Sequence, residues 1–172
     1  YSEFSGGQAI TLPYTNGLEM VVVLPTGSVD EFVAALADAD GDLDALVAGW
    51  SSREVDLTIP RFEVTTRSGL VDAFVQLGLS APFDPDRADF SAMTADTELM
   101  IGNIVHEATI TVDEAGTEAA ASTAVVMAPT AAPAGDQPEP AVMHVDRPFF
   151  FAVRHQTSGA VLFQGSVANP AG

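Results

Sequence analysis

Val112 to Pro140 reads Val-Asp-Glu-Ala-Gly-Thr-Glu-Ala-Ala-Ala-Ser-Thr-Ala-Val-Val-Met-Ala-Pro-Thr-Ala-Ala-Pro-Ala-Gly-Asp-Gln-Pro-Glu-Pro. Its first half is small and free of proline from Gly116 to Ala128, and its second half is broken by Pro129, Pro133, Pro138 and Pro140. So long a stretch without helix or strand pattern is usually functional or disordered in a compact domain. Composition alone fits a disordered linker, because Ala, Ser, Thr and Pro bury little surface. The period argues otherwise. Thr117, Ala119, Ala121, Thr123, Val125 and Met127 form one alternating set without charge. Glu118, Ala120, Ser122, Ala124 and Val126 form the other, which carries the only charge between Gly116 and Ala128. A strand with one buried face needs this arrangement. The stretch reads as a loop that can become a strand.

The segments flanking it are extended. Leu99 to Val112 predicts a long strand, with Ile104, His106, Ala108, Ile110 and Val112 on one face and Val105, Glu107, Thr109 and Thr111 on the other. Beyond the loop, Val142 to Asp146 is extended. Phe149 to His155 and Val161 to Val167 then form two strands joined by a turn at Gln156–Gly159.

The earlier chain alternates strands and short helices. Gln8 to Leu12 is a strand, Asn16-Gly17 a hairpin signal, and Leu18 to Leu24 an apolar run fit for a strand buried on both faces. Ser28 and Glu31 make a capping box for a helix over about 29–37. Asp40-Gly41 breaks the chain, and Leu43 to Trp50 predicts a second helix. Glu54 to Thr65 is extended, with Val55, Leu57 and Ile59 on one face and a change of sheet at Pro60. Ser68 to Leu79 predicts a helix that turns Leu70, Val71, Phe74, Val75 and Leu77 to the core. A loop with a helical turn near Asp89-Phe90-Ser91 follows. The pattern is α+β with long antiparallel strands.

At 172 residues the chain can hold one domain with a real core. It has no apolar run of membrane-spanning length and no signal pattern, although Tyr1 does not read as a natural start. Cysteine is absent, which excludes disulfides and thiolate metal sites and leaves the redox compartment open. Net charge is −18 and every basic residue is Arg, so the surface repels nucleic acid and anionic membranes. Neither is expected as a partner. Abundant Asp, Ala, Val and Gly without Lys point to a high-GC or salt-adapted bacterial source.

Nucleophilic catalysis needs a serine or cysteine beside a base. The chain has no Gly-x-Ser-x-Gly elbow, and His106, His144 and His155 lie in unrelated elements without metal-ligand spacing. Phosphate-binding glycine motifs are absent as well. No enzyme, metal or cofactor is expected. His106, on the apolar side of its strand, reads by default as a hydrogen-bonded core histidine.

Val112 to Thr123 resembles the hinge of an inhibitory serpin, a serine-protease inhibitor that works by changing shape. Met143 to Val153 resembles the serpin C-terminal signature through Asp146-Arg147-Pro148-Phe149, and Thr157 to Pro170 fits the serpin ending. The resemblance runs from about Gln8 to Pro170. It implies the C-terminal part of a single serpin domain over 1–172: central strands of sheet B, the helices after them, part of sheet C and two strands of sheet A. The reactive-centre loop would cover about 114–141.

The resemblance also assigns roles. The hinge would comprise Glu114, Gly116, Thr117, Glu118, Ala119, Ala120 and Ala121. Glu114 would pair with Arg61, and His106 would become a shutter residue where the sheet opens. Counting from Glu114 puts the scissile bond at Thr130–Ala131, with any bond from Met127 to Ala132 possible. No Arg or Lys lies between Asp113 and Asp146, which points to elastase-like or subtilisin-like targets. The implied function is suicide-substrate inhibition of serine proteases by loop insertion, in a secreted or extracellular setting. The implied partners are the target protease and the missing N-terminal half, or a partner chain that covers the open edges. A non-inhibitory serpin-like binding or structural fragment is the alternative.

Overall fold

The computed structural model describes residues 1–94, 96–113, 116–117 (backbone only) and 139–170. The chain divides into two compact units, residues 1–62 with 112–172, and Glu63–Thr111.

The first unit is built on a five-stranded antiparallel sheet. Its strands are β1 (Ser2–Phe4), β2 (Gly7–Pro13), β3 (Leu18–Pro25), β9 (Phe149–His155) and β10 (Val161–Val167), in that spatial order. β3 lies in the middle, with Val21 opposite Ala152, Val22 opposite Phe151 and Val23 opposite Phe150. Successive side chains alternate between the two faces, so the apolar run of β3 serves both. On one face Ala9, Val21, Val23, Phe150 and Ala152 meet the helix residues Val29, Phe32, Leu36 and Leu43, together with Val47. The Phe32 and Phe150 rings stand 5.5 Å apart. On the other face Phe62 lies 5.4 Å from Phe149 and 5.2 Å from Phe151, ring to ring. Edge strand β10 leaves Val161, Leu162 and Phe163 about half exposed.

The first helix, α1 (Val29–Asp38), carries the capping box read from Ser28 and Glu31. Its end is a Schellman turn. Gly41 N–H donates to the Leu36 carbonyl and Asp40 N–H to the Ala37 carbonyl, with Asp40 at φ 54°. The second helix, α2, covers only Leu43–Leu46 rather than running to Trp50. Val47 leaves it in an extended conformation and is fully buried, so core packing draws the chain off the helix axis. Strand β1 was not legible in the sequence, because three residues show too little alternation. Its tie to the 48–51 segment comes through Ser2 Oγ on the Ala48 carbonyl and Ser51 N–H on the Tyr1 carbonyl.

Pro60 separates two sheets as expected. β4 (Val55–Thr58) pairs with β8 (Ala141–His144), and this pair is parallel, unlike the strands of the five-stranded sheet. β5 (Phe62–Gly69) belongs to a three-stranded sheet in the order β5, β6 (Val105–Asp113), β7 (Gly116–Thr117).

The second unit holds most of β5 and β6, the helix α3 (Val71–Gln76) and a 3-10 turn at Ala81–Phe83. Two sequence expectations are corrected here. β5 keeps Ser68 and Gly69, so α3 starts later than expected; it ends in a Schellman turn at Gly78, φ 94°, with Leu79 N–H on the Phe74 carbonyl. Val75 on the helix and Leu77 after it are 42% and 83% exposed and are no core residues, and no residue of the helix is buried. β6 begins at Val105 rather than Leu99, because the preceding backbone makes other bonds: Ile101 N–H to Pro82 and Leu70 N–H to Ile104. Among the described residues no helix is long and apolar enough to cross a membrane.

Candidate functional site

The two stems of the 112–140 stretch define the site. On the proximal side β6 turns back on itself. Val112 pairs with Thr117 and Asp113 with Gly116, antiparallel, and β7 therefore lies on the edge of β6 away from β5. Ile110 and Val112 are buried, Ala108 is half-buried, and Val105, Glu107 and Thr109 are exposed. Over residues 108–112 the buried positions fall on the face that the sequence predicts. Thr65 and Thr109 share a hydroxyl hydrogen bond of 3.0 Å. Arg67 and Glu107 approach to 3.9 Å, but both are well exposed, so the pair adds little stability.

His106 shares the strand face of Ala108 and Ile110, yet its side chain is exposed in this structure. The reading of a core histidine is therefore corrected: burial on β6 begins only toward Ile110. Arg61 is exposed between β4 and β5 and takes part in interactions. Its expected partner Glu114 lies outside the described residues. So do Glu118, Ala119, Ala120, Ala121 and the expected reactive bond Thr130–Ala131; Gly116 and Thr117 are described through their backbone alone.

The distal stem is held differently. β8 runs parallel to β4, Val55 opposite Ala141 through Thr58 opposite His144. Ala141 N–H donates to the Glu54 carbonyl at 2.9 Å and Val145 N–H to the Thr58 carbonyl at 2.8 Å. Met143 and Val145 are buried. One turn later Arg147 donates through Nε to the Pro25 carbonyl at 3.3 Å and stands 3.6 Å from Asp146. Thus Asp146-Arg147-Pro148-Phe149 is a corner that ties the entry of β9 to the end of β3, and Phe149 is its fully buried anchor.

Two arginines near these stems were missed by sequence reasoning. Arg154 on β9 stands opposite Glu19 on β3, with Nε at 2.8 Å from Oε1, while Nη1 reaches Asp44 Oδ2 at 2.9 Å. The indole N–H of Trp50 donates to the other Asp44 oxygen at 3.2 Å. Burial works against the charge on Arg154, but the hydrogen bonds and charges of Asp44 and Glu19 outweigh it and hold its pKa above the ordinary arginine value. Arg53 lies over the Tyr1 ring at 5.8 Å and donates from Nη2 to the Glu139 carbonyl at 2.8 Å. Both arginines line an open cleft of about 530 Å³ with Tyr1, Thr11, Glu19 and Trp50. No local sequence signal marks such pairs, because their partners are far away in the chain.

The other histidines stand apart. His144 is exposed on β8, and His155 closes the turn after β9, its Nδ1 taking the Ser158 N–H at 3.2 Å. Among the described residues no cluster of three or more His, Asp or Glu side chains could hold a metal ion.

Comparison with known proteins adds an independent line. The family model described as Serpin (serine protease inhibitor) matches residues 1–170. The mouse (Mus musculus) glia-derived nexin is 30% identical over 163 residues, covering 94% of this chain and 39% of the nexin. The human (Homo sapiens) plasminogen activator inhibitor 2 is 30% identical over 177 residues, covering 99% of this chain and 41% of the inhibitor. Among solved structures, the thermophilic serpin tengpin in its native state superposes with a TM-score of 0.66 at 27% identity, over 98% of this chain and 43% of tengpin. The chain spans about two fifths of the length of the curated relatives it matches.

Proposed function

The chain belongs to the serpin family, in the C-terminal portion of that fold, and from this premise we infer that it acts in the inhibition of serine proteases as a suicide substrate. The observation that carries the reading is the β6–β7 pairing. Thr117 and Gly116 already run antiparallel along the edge of β6 that β5 leaves open. Continued in the same register, that ladder would set Ala119 against Ile110, Ala121 against Ala108 and Thr123 against His106. Residues directly opposite in an antiparallel pair share a face. The uncharged set would then join the buried face of β6, and Glu118 would join Thr111 on the other.

The chemistry follows from that arrangement. A protease attacks the loop as substrate, at or near Thr130–Ala131, and its serine becomes acylated by the carbonyl side of the cut. Cleavage frees the hinge to enter the sheet as a new strand. Each ladder bond gained is worth on the order of 1 kcal/mol net, with side-chain burial in addition. The attached protease is carried away and distorted before water can release it. The small residues around the bond favour elastase-like or subtilisin-like enzymes in an extracellular setting. The second wall of the receiving sheet comes from polypeptide equivalent to the N-terminal half of the relatives, in the same protein or in a partner chain.

Incubation with an elastase-like protease, followed by a denaturing gel, tests the reading. A covalent complex larger than either protein is the expected result. Simple clipping of the loop, with the protease left fully active, overturns it.

A further inference from the structure

We propose that Arg53 is a positioning residue for the loop, a side-chain latch that fixes its distal end at Glu139. Pro140 has no backbone N–H, so the ladder between β8 and β4 cannot gain a donor there. The first backbone donor of the stem is Ala141, on the Glu54 carbonyl. Pro140 itself has no donor to give, and on the residue before it the Arg53 guanidinium donates to the Glu139 carbonyl at 2.8 Å. Arg53 is aimed by packing over the Tyr1 ring and by its place immediately before Glu54, whose own carbonyl takes the first ladder bond. A hydrogen bond from a charged donor is stronger than a neutral one. It guards the end of a strand only four residues long, where fraying would begin.

This inference rests on the reading of the loop as a protease substrate. A protease must order the segment it cuts, and the cost of ordering falls when the ends of that segment are already fixed. The latch therefore serves encounter with the protease. It leaves strand insertion, which starts from the proximal stem, untouched.

Arg53→Met keeps a long apolar stem over Tyr1 and removes the donor; Arg53→Lys keeps a charged donor. Both are made in the full-length protein, with two readouts. In Arg53→Met, amide exchange at Ala141 and Met143 is expected to quicken by about tenfold while Phe150 and Ala152 on β9 stay unchanged. Association with the protease is expected to slow by about three- to tenfold at an unchanged stoichiometry of inhibition, with Arg53→Lys recovering most of both losses. Unchanged exchange at Ala141, or exchange that quickens equally on β9, overturns the latch. So does wild-type association in Arg53→Met. If the unaltered protein forms no covalent complex, the inhibitor reading fails instead, and the exchange arm alone still decides whether Arg53 holds Glu139.

Discussion

Val112 and Thr117 face each other across a two-rung antiparallel ladder at the end of β6. Val112 is buried, and its neighbour on the same face, Ile110, is buried too. Whatever continues along this edge must offer a small uncharged side chain at every second position. The sequence after Gly116 does so.

Thr117→Arg tests that demand. A charged side chain on the face of Val112 would have to enter a packed layer without a partner. Insertion should slow while attack by the protease should not, so the variant becomes a substrate. The stoichiometry of inhibition is expected to rise at least about fivefold. An unchanged stoichiometry would contradict strand insertion through this face.

Arg154→Met tests the ion cluster that joins β3, β9 and α2. Arg154 and Glu19 are 13% and 15% exposed, so removing one strands the other. After discounting for solvent, a loss of about 1–3 kcal/mol in urea unfolding is expected. The pKa of Arg154 is raised by folding, so its contribution is full below the free arginine value and fades only as pH rises past the folded one. Across the neutral range the wild-type and Arg154→Met curves should therefore stay parallel for this group.

Glycine at two strand positions is a steric requirement. At Gly7, φ 150°, a Cβ would lie 2.3 Å from the Leu24 carbonyl oxygen. At Gly165 it would lie 3.1 Å from the Phe151 ring, the residue opposite in register. Gly7→Ala must move backbone, whereas the ring beside Gly165 can give by a few tenths of an ångström. Gly7→Ala is expected to cost about 3 kcal/mol or more, and Gly165→Ala about 1 kcal/mol. Denaturant midpoints in the reverse order would refute this account of the packing.

Phe149→Ala removes a fully buried ring that packs on Phe62. A loss of about 3–5 kcal/mol is expected from lost burial and the cavity left behind. A loss below about 1 kcal/mol would mean that this face is loosely packed.

Local chemistry was legible in the sequence. Ser28 with Glu31, the Pro60 break and the closing strands at Phe149–His155 and Val161–Val167 follow from caps, missing donors and period. The same rules overran α2 and α3, because burial of Val47 and continuation of β5 through Gly69 are decided by tertiary contacts. The site divides in the same way. The alternation after Gly116 is visible because it repeats every second residue. Arg53 and Arg154 were invisible because their partners lie 86 to 135 residues away in the chain, where no spacing rule reaches.

The most direct test is a melting curve of the protein before and after its loop is cut between Met127 and Ala132. If the freed hinge joins the edge of β6, new ladder bonds and burial should raise the midpoint by at least about 10 °C. A midpoint that stays the same or falls after cleavage would contradict the account.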